Sequence, residues 1–423
     1  MVPDLLLLTF YMCLIGAAIG TVSGLVPGIH VNTLALILLT FRDDLTALMG
    51  GFAPEEYAPA LLSVCVLSAA VVHSAVDFVP SVFLGVPDPD TVLNVLPGHR
   101  LLLEGKGMTA VRCAAIGSLV GSAASIALAV PMYMLLSGGL GDYLDSITVG
   151  FLVLSLALML ISERHSRPAA VAMMALSGIL GLVCMTDVLP MESMTGMPPE
   201  VMFPMLTGLF GIPAMLLAPP NGTVPPQTDV DRRPVGAVPG LKGVLTGSVT
   251  GWFPGITSTT GAVFAGAIFG QEDRKGFISM VSSIGTASTM FAFVTFCVSG
   301  KERSGTMSVI GGLLDGASVA PGTDVFLMMM LTMVTASVLA YAVMIASGRA
   351  MCRLCEHTDT ARVNAVIILM TVVLTVVFTG YWGLVLLAAS TAVGMLPLVT
   401  GADRMHLTGC LIVPVLLFRL GLA

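Results

Sequence analysis

Residues 16–29 read Gly16-Ala17-Ala18-Ile19-Gly20-Thr21-Val22-Ser23-Gly24-Leu25-Val26-Pro27-Gly28-Ile29, and residues 243–256 read Gly243-Val244-Leu245-Thr246-Gly247-Ser248-Val249-Thr250-Gly251-Trp252-Phe253-Pro254-Gly255-Ile256. Both have the spacing G-x3-G-x3-G-x2-P-G-I. A gapless second copy of so specific a pattern marks an internal duplication. The reading that follows is of a first repeat at 1–218, a Pro-rich polar linker at 219–242 and a second repeat at 243–423.

Composition places these repeats in a bilayer. Of the 423 residues, 56% are hydrophobic and 10% charged, with a mean hydropathy of +0.97. That leaves too little polar surface to cover a soluble globule. Apolar stretches at 57–85, 108–137, 147–162, 169–186, 201–218, 277–299, 322–348, 362–379, 382–397 and 407–422 read as helical spans. The expectation is an all-α, multi-pass cell-membrane protein of about 10–12 transmembrane helices. The opening stretch has no basic n-region or small-residue cleavage site, so Leu5 to Leu8 are read as mature structure. A net charge of −7 without a long basic run argues against nucleic acid as a partner. Cys352 and Cys355 form a single C-x2-C, too few ligands for a metal or redox site.

Loop charge orients the chain. Arg100 and Lys106, Arg164 and Arg167, and Arg232, Arg233 and Lys242 mark cytoplasmic loops, whereas 138–146 and 187–200 carry no Lys or Arg and face outward. If 243–270 crosses the membrane fully, Arg274, Lys275, Arg349, Arg353 and Arg362 all fall outside. If it enters and returns, only Lys301 and Arg303 are misplaced. Re-entry fits better. Treating 4–41 in the same way gives each repeat a Pro-Gly-broken re-entrant hairpin followed by five spans, and the two repeats are then inverted. Residues 4–26 are also long enough to cross alone, which leaves a full span plus a half-helix as the alternative for the first hairpin.

Glycines four apart let another backbone approach closely, which explains the stripes as packing devices. Pro-Gly at the end of both stripes adds a break in the helix at membrane depth. The half-helices that follow begin His30-Val31-Asn32-Thr33 and Thr257-Ser258-Thr259-Thr260. Their free N–H groups and polar side chains suit a carboxylate or phosphate, with plain N-capping as the alternative. The expected substrate-binding residues are therefore Gly28, His30, Asn32 and Thr33 from one hairpin and Gly255, Thr257, Ser258 and Thr259 from the other. His73 and Asp77, four apart in the span 57–85, are candidates for ion coupling; a mutually satisfied structural pair is the alternative.

These residues resemble the TctA family, the large membrane subunit of tripartite tricarboxylate transporters. The likeness rests on the doubled motif and on Gly85-Val86-Pro87, Thr91, Leu96-Pro97-Gly98-His99-Arg100 and Glu104-Gly105-Lys106-Gly107. Within it, His30-Val31-Asn32-Thr33 is similar to a divergent archaeal-type branch. Gly85 and Thr91 recur as Gly300 and Thr306 at one offset of 215.

The resemblance implies a secondary transporter of di- or tricarboxylates, with Na+ or H+ as the coupling ion and no other cofactor. Its implied partners are membrane lipids, a small membrane subunit, an extracellular binding protein and further copies of the chain. The competing cargo is a polyprenyl phosphate, since lipid-phosphate translocases are similar in their doubled Pro-Gly hairpins. An enzyme is not expected, because neither H-E-x2-H nor G-x-S-x-G occurs.

Overall fold

The computed structural model describes residues 3–423 except 27–28, 52, 85–89, 92, 94, 187, 197, 217–223, 229–230, 271 and 359. Gly28, Pro27, the turn 85–87 and part of the linker thus lie outside the described residues. No strand occurs among those described, and seven helices are long and apolar enough to cross a membrane. The chain is a multi-pass membrane protein.

In chain order the first half contains α1 (Pro3–Leu25), α2 (Val31–Thr40), α3 (Arg42–Met49), α4 (Ala58–Val76), α5 (Phe78–Phe83), α6 (Val95–Leu103), α7 (Gly107–Leu135), α8 (Gly141–Ser146), α9 (Thr148–Ser162), α10 (Arg167–Met185), α11 (Met202–Leu206) and α12 (Ile212–Leu216). The second contains α13 (Val238–Thr250), α14 (Ser258–Phe269), α15 (Arg274–Ser299), α16 (Gly305–Leu314), α17 (Asp324–His357), α18 (Thr360–Gly394), α19 (Leu396–Thr400) and α20 (Gly409–Arg419). The start of α13 thus takes in residues 238–242, read above as linker.

Several expected spans differ in form. At 23 residues, or about 34 Å, α1 is long enough to cross alone, whereas α13 has 13 residues. The stretches 362–379 and 382–397 join in α18 across a kink at Gly380 (φ 64°). The region 407–422 contains only the 11-residue α20, preceded by a 3-10 turn at Arg404–Thr408 and interrupted by Pro414.

The glycine stripes do what their spacing requires. Gly16, Gly20 and Gly24 of α1 meet Cys65, Ala69 and Val76 of α4, and Gly243, Gly247 and Gly251 of α13 meet Met280, Ala287 and Phe291 of α15. A Cβ at Gly247 or Gly251 would fall 2.7 Å or 2.6 Å from a neighbouring Cβ. At Gly16 and Gly20 it would run into the carbonyls of Cys65 and Ala69. Such contact leaves no room for a side chain, and the gain is close packing where lipid supplies no hydrophobic drive.

Two packed blocks result, and each takes helices from both halves. In one, α1, α4 and α7 pack with α13, α15 and α17 around a core that includes Leu61, Phe78, Val111, Phe293 and Met329. In the other, α10 and α11 pack with α18 and α20 around Met205, Phe210, Leu386 and Cys410. A further cluster around Trp252, Phe253, Leu152 and Met159 lies between them.

Charged loops gather at the two ends. At one, Arg274 pairs with Glu104 (2.6 Å), Lys275 with Asp231 (3.3 Å) and Lys242 with Glu272. These are segments assigned to the cytoplasmic side by charge. The Lys242–Glu272 pair also brings together the two ends of the α13–α14 segment. Lys301 pairs elsewhere, with Asp145 of the loop expected to face outward.

A buried carboxylate ties the second block's loops. Glu163 accepts the N–H groups of His165 (2.7 Å), Ser166 (3.3 Å) and Asp403 (2.9 Å), and pairs with His406 Nε2 at 2.9 Å. Burial pushes its pKa up, but these donors outweigh burial and hold it at about 2. Because the folded-state pKa is depressed, the stabilisation is complete above the ordinary carboxyl range and is lost as pH falls towards 2. Acid denaturation in detergent should show this loss between about pH 4.3 and about pH 2, and Glu163→Gln should abolish that part of the pH dependence. In the stripes, Gly20→Leu should destabilise the protein by at least about 1–3 kcal/mol. Gly266→Ala, whose added Cβ meets nothing within 4 Å, should not lower the melting temperature and should raise it slightly, alanine being the better helix former.

Candidate functional site

Both helix breaks open into one cavity of about 750 Å3. His30, Asn32 and Thr33 reach it from the start of α2, and Gly255, Thr257 and Ser258 from the start of α14, while His73 and Asp77 line it from α4. Thr259 is 0% exposed and is not part of the wall. Gly28 lies outside the described residues. The second block closes the far side with Glu200, Phe203 and Leu411 among others.

Local chemistry explains the half-helix starts. His30 caps α2, its Nδ1 accepting the N–H of Asn32 at 3.2 Å. Thr257 caps α14, with Oγ1 accepting the N–H of Thr260 at 3.4 Å. Capping therefore accounts for one residue in each hairpin. Gly255 at φ 75° provides the left-handed turn before α14, where a Cβ would also come within 2.9 Å of Leu411 O.

The remaining polar residues either reach across the cavity or are left unsatisfied. Asn32 Oδ1 accepts the N–H of Thr306 at 3.0 Å, and the N–H of Ser258 donates to Asp90 Oδ1 at 2.6 Å. The starts of α2 and α14 are thus each bonded to the segment that follows the main helix of the other half, the two segments related by the 215-residue offset. By contrast, Thr33 Oγ1 and Ser258 Oγ, 4% and 1% exposed by residue, have no hydrogen-bond partner among the described residues. Buried hydroxyls in this state are costly and suit a ligand. His73 lies behind His30, ring centroids 4.8 Å apart, with its Nδ1 3.0 Å from Ser23 Oγ.

Sequence reasoning placed Arg303 only as a misplaced charge, and that anomaly was the available signal. Its Nε and Nη2 donate to Phe253 O (3.1 Å) and Ile256 O (2.7 Å), the carbonyls that the Pro254-Gly255 break releases. Burial lowers its pKa to about 10, with Asp90 opposing, so the guanidinium stays charged at neutral pH. Lys301, the other anomaly, bonds Asp145 and stands 4.5 Å over the Trp252 ring. Asp90, Glu200 and Glu302 also line the cavity and were not singled out. Burial raises the Glu200 pKa, with His30 and the Met202 N–H opposing.

A family model described as the tripartite tricarboxylate transporter TctA family matches residues 10–409. The chain is 28% identical over 309 residues to the uncharacterized protein MJ1079 of Methanocaldococcus jannaschii, covering 72% of each chain. No solved structure matches it.

Replacing Arg303 by Gln should leave the two carbonyls short of donors, at a cost of about 1–3 kcal/mol. Lysine, which lacks the planar fork, should not restore the loss. Thermal unfolding followed by tryptophan fluorescence, to which Trp252, two residues before Pro254, contributes, checks both outcomes.

Proposed function

The chain belongs to the TctA family, and on that premise we propose that it is a cation-coupled carrier of small organic anions, di- or tricarboxylates, working by alternating access. The observation that carries this reading is that the starts of two half-helices, with unsatisfied hydroxyls, open into one cavity beside a buried guanidinium. A half-helix start favours negative charge, and Thr33 and Ser258 offer O–H donors for carboxylate oxygens.

Coupling follows from charge. The wall carries the carboxylates of Asp77, Asp90, Glu200 and Glu302 against the single guanidinium of Arg303. An anion entering so acidic a cavity is repelled unless a proton or Na+ arrives with it. Asp77 with His73, and Glu200 on the opposite wall, are the groups assigned to that cation. The family's tripartite organisation supports a small membrane subunit and an extracellular binding protein as partners.

Several contacts support an inverted repeat. The α1 stripe runs parallel to α4 and the α13 stripe parallel to α15. From the end of α4, the chain continues to Glu104, beside the start of α15 at Arg274. The two stripes therefore run in opposite directions through the molecule, and the reciprocal Asn32–Thr306 and Ser258–Asp90 bonds join the halves across the cavity. In this reading, the paired ends of α13–α14 make that segment re-entrant.

Ligand-dependent thermal stability of the purified protein tests the proposal. Citrate or succinate should stabilise it by about 2.7 kcal/mol at a hundred times Kd, and more strongly with Na+ or at lower pH. Thr33→Ala and Ser258→Ala, which remove hydroxyls without partners among the described residues, should leave the melting temperature of the empty protein unchanged. Each should weaken carboxylate binding about tenfold, the loss of roughly one charge-assisted hydrogen bond. Stabilisation by a polyprenyl phosphate and by none of the carboxylates would replace this reading with lipid-phosphate translocation.

A further inference from the structure

The free end of α14 is already occupied. Its first residue, Ser258, gives its N–H to Asp90 Oδ1 at 2.6 Å, a bond between residues 168 apart in sequence. Asp90 lies between α5 and α6, exposed, in the wall of the cavity, and Arg303 interacts with it electrostatically. The reciprocal contact in the other half is neutral, an Asn32 amide oxygen on the Thr306 N–H. The carboxylate is therefore particular to the α14 side. Beside it, the buried hydroxyl of Ser258 lines the cavity with no partner among the described residues, so the position offers a donor that Asp90 does not use.

We propose that Asp90 is the resident anion of the substrate site, its carboxylate holding the start of α14 while the cavity is empty and giving way to a carboxylate of the incoming substrate. This rests on the carrier reading above. Two carboxylates cannot share one set of N–H donors without strong like-charge repulsion, all the more in a wall that already holds Asp77, Glu200 and Glu302. Displacement removes one negative charge from the subsite as another arrives.

Asp90 thereby acts as a selector. A tethered carboxylate competes at an effective concentration of about millimolar or higher. A ligand with a single carboxylate meets that competition with nothing in reserve. A ligand with two or more acidic groups exchanges one carboxylate for Asp90 and keeps another for Arg303 or the His30 side. The class selected is the multivalent organic anion.

The test is binding of acetate, succinate and citrate to the full-length protein in detergent, by calorimetry and thermal shift, with Asp90→Asn and Asp90→Ala beside the unaltered chain. Asp90→Ala should bind succinate and citrate at least about tenfold more tightly and should gain measurable acetate binding. Asp90→Asn keeps an oxygen acceptor for the Ser258 N–H and loses the charge, so it should fold as the parent does and show a smaller gain. It carries the test if the alanine variant does not fold. Equal affinities in parent and variants would overturn the proposal, making Asp90 a cap only, and would leave the carrier reading standing. Weaker binding by the variants would also overturn it, because Asp90 would then help to hold the ligand or its cation. Binding of no carboxylate by any of the three would overturn this proposal and the carrier reading together.

Discussion

Backbone N–H and C=O groups freed inside a membrane protein must find partners within the protein or in a wet cavity, and this constraint governs everything built around the two helix breaks. At the second break the freed carbonyls of Phe253 and Ile256 take the Arg303 guanidinium, and the freed N–H groups of α14 take Thr257 and Asp90. At the first, His30 caps α2 and Asn32 reaches the start of α16. A cation in a loop expected to face outward is tolerable because it answers a local need of the backbone. The orientation rule counts loop charges by their effect on insertion and does not register a charge with that use.

The glycine stripes make these breaks possible by holding what surrounds them. Backbone-to-backbone approach along α1–α4 and α13–α15 fixes each break relative to a full-length helix. Close approach recurs between the halves, where Gly117 and Gly121 of α7 meet Ser279 and Ser283 of α15. The central block is thereby interlocked, and the cavity forms where it faces the second block. The position of the cavity follows from packing, and its chemistry follows from the breaks.

Much of this was legible in sequence because the signals were local. Glycine spacing gave the packing faces, Pro-Gly gave the breaks, and polar residues just after them gave five of the described lining residues, with Gly255 of the second break a sixth. His73 and Asp77 stood out as ionisable groups in an apolar helix. Thr259 looked equivalent to its neighbours in a run of hydroxyls, yet consecutive helical residues point about 100° apart, and one of them had to face the core. Asp90, Glu200 and Glu302 were illegible for another reason. Acidic residues in connecting segments are ordinary, and only the fold brings Asp90 to Ser258 or Glu200 to His30. The limit of α20 was also hidden, since Pro414 and a preceding 3-10 turn shorten a segment whose composition alone fits a span.

The division into blocks bears on how such a molecule can change shape. Within the central block the contacts are dense and lack side chains at their closest points, so separating α1 from α4 would forfeit packing that lipid cannot replace. The bonds that cross the cavity include the neutral Asn32–Thr306 bond, with a net worth of about 0.5–1.5 kcal/mol, and the Ser258–Asp90 bond to a carboxylate, about 1.5–3 kcal/mol. Populations of two conformations shift usefully when their free energies differ by a few kcal/mol, the scale of one or two such bonds. A ligand that replaces one of these bonds with its own therefore acts on a term large enough to matter and small enough to reverse. The second block offers the complementary surface, with Glu200, Phe203 and Leu411 facing the cavity from elements whose core around Met205 and Phe210 is separate from that of α4. Rearrangement along that face leaves both glycine stripes intact.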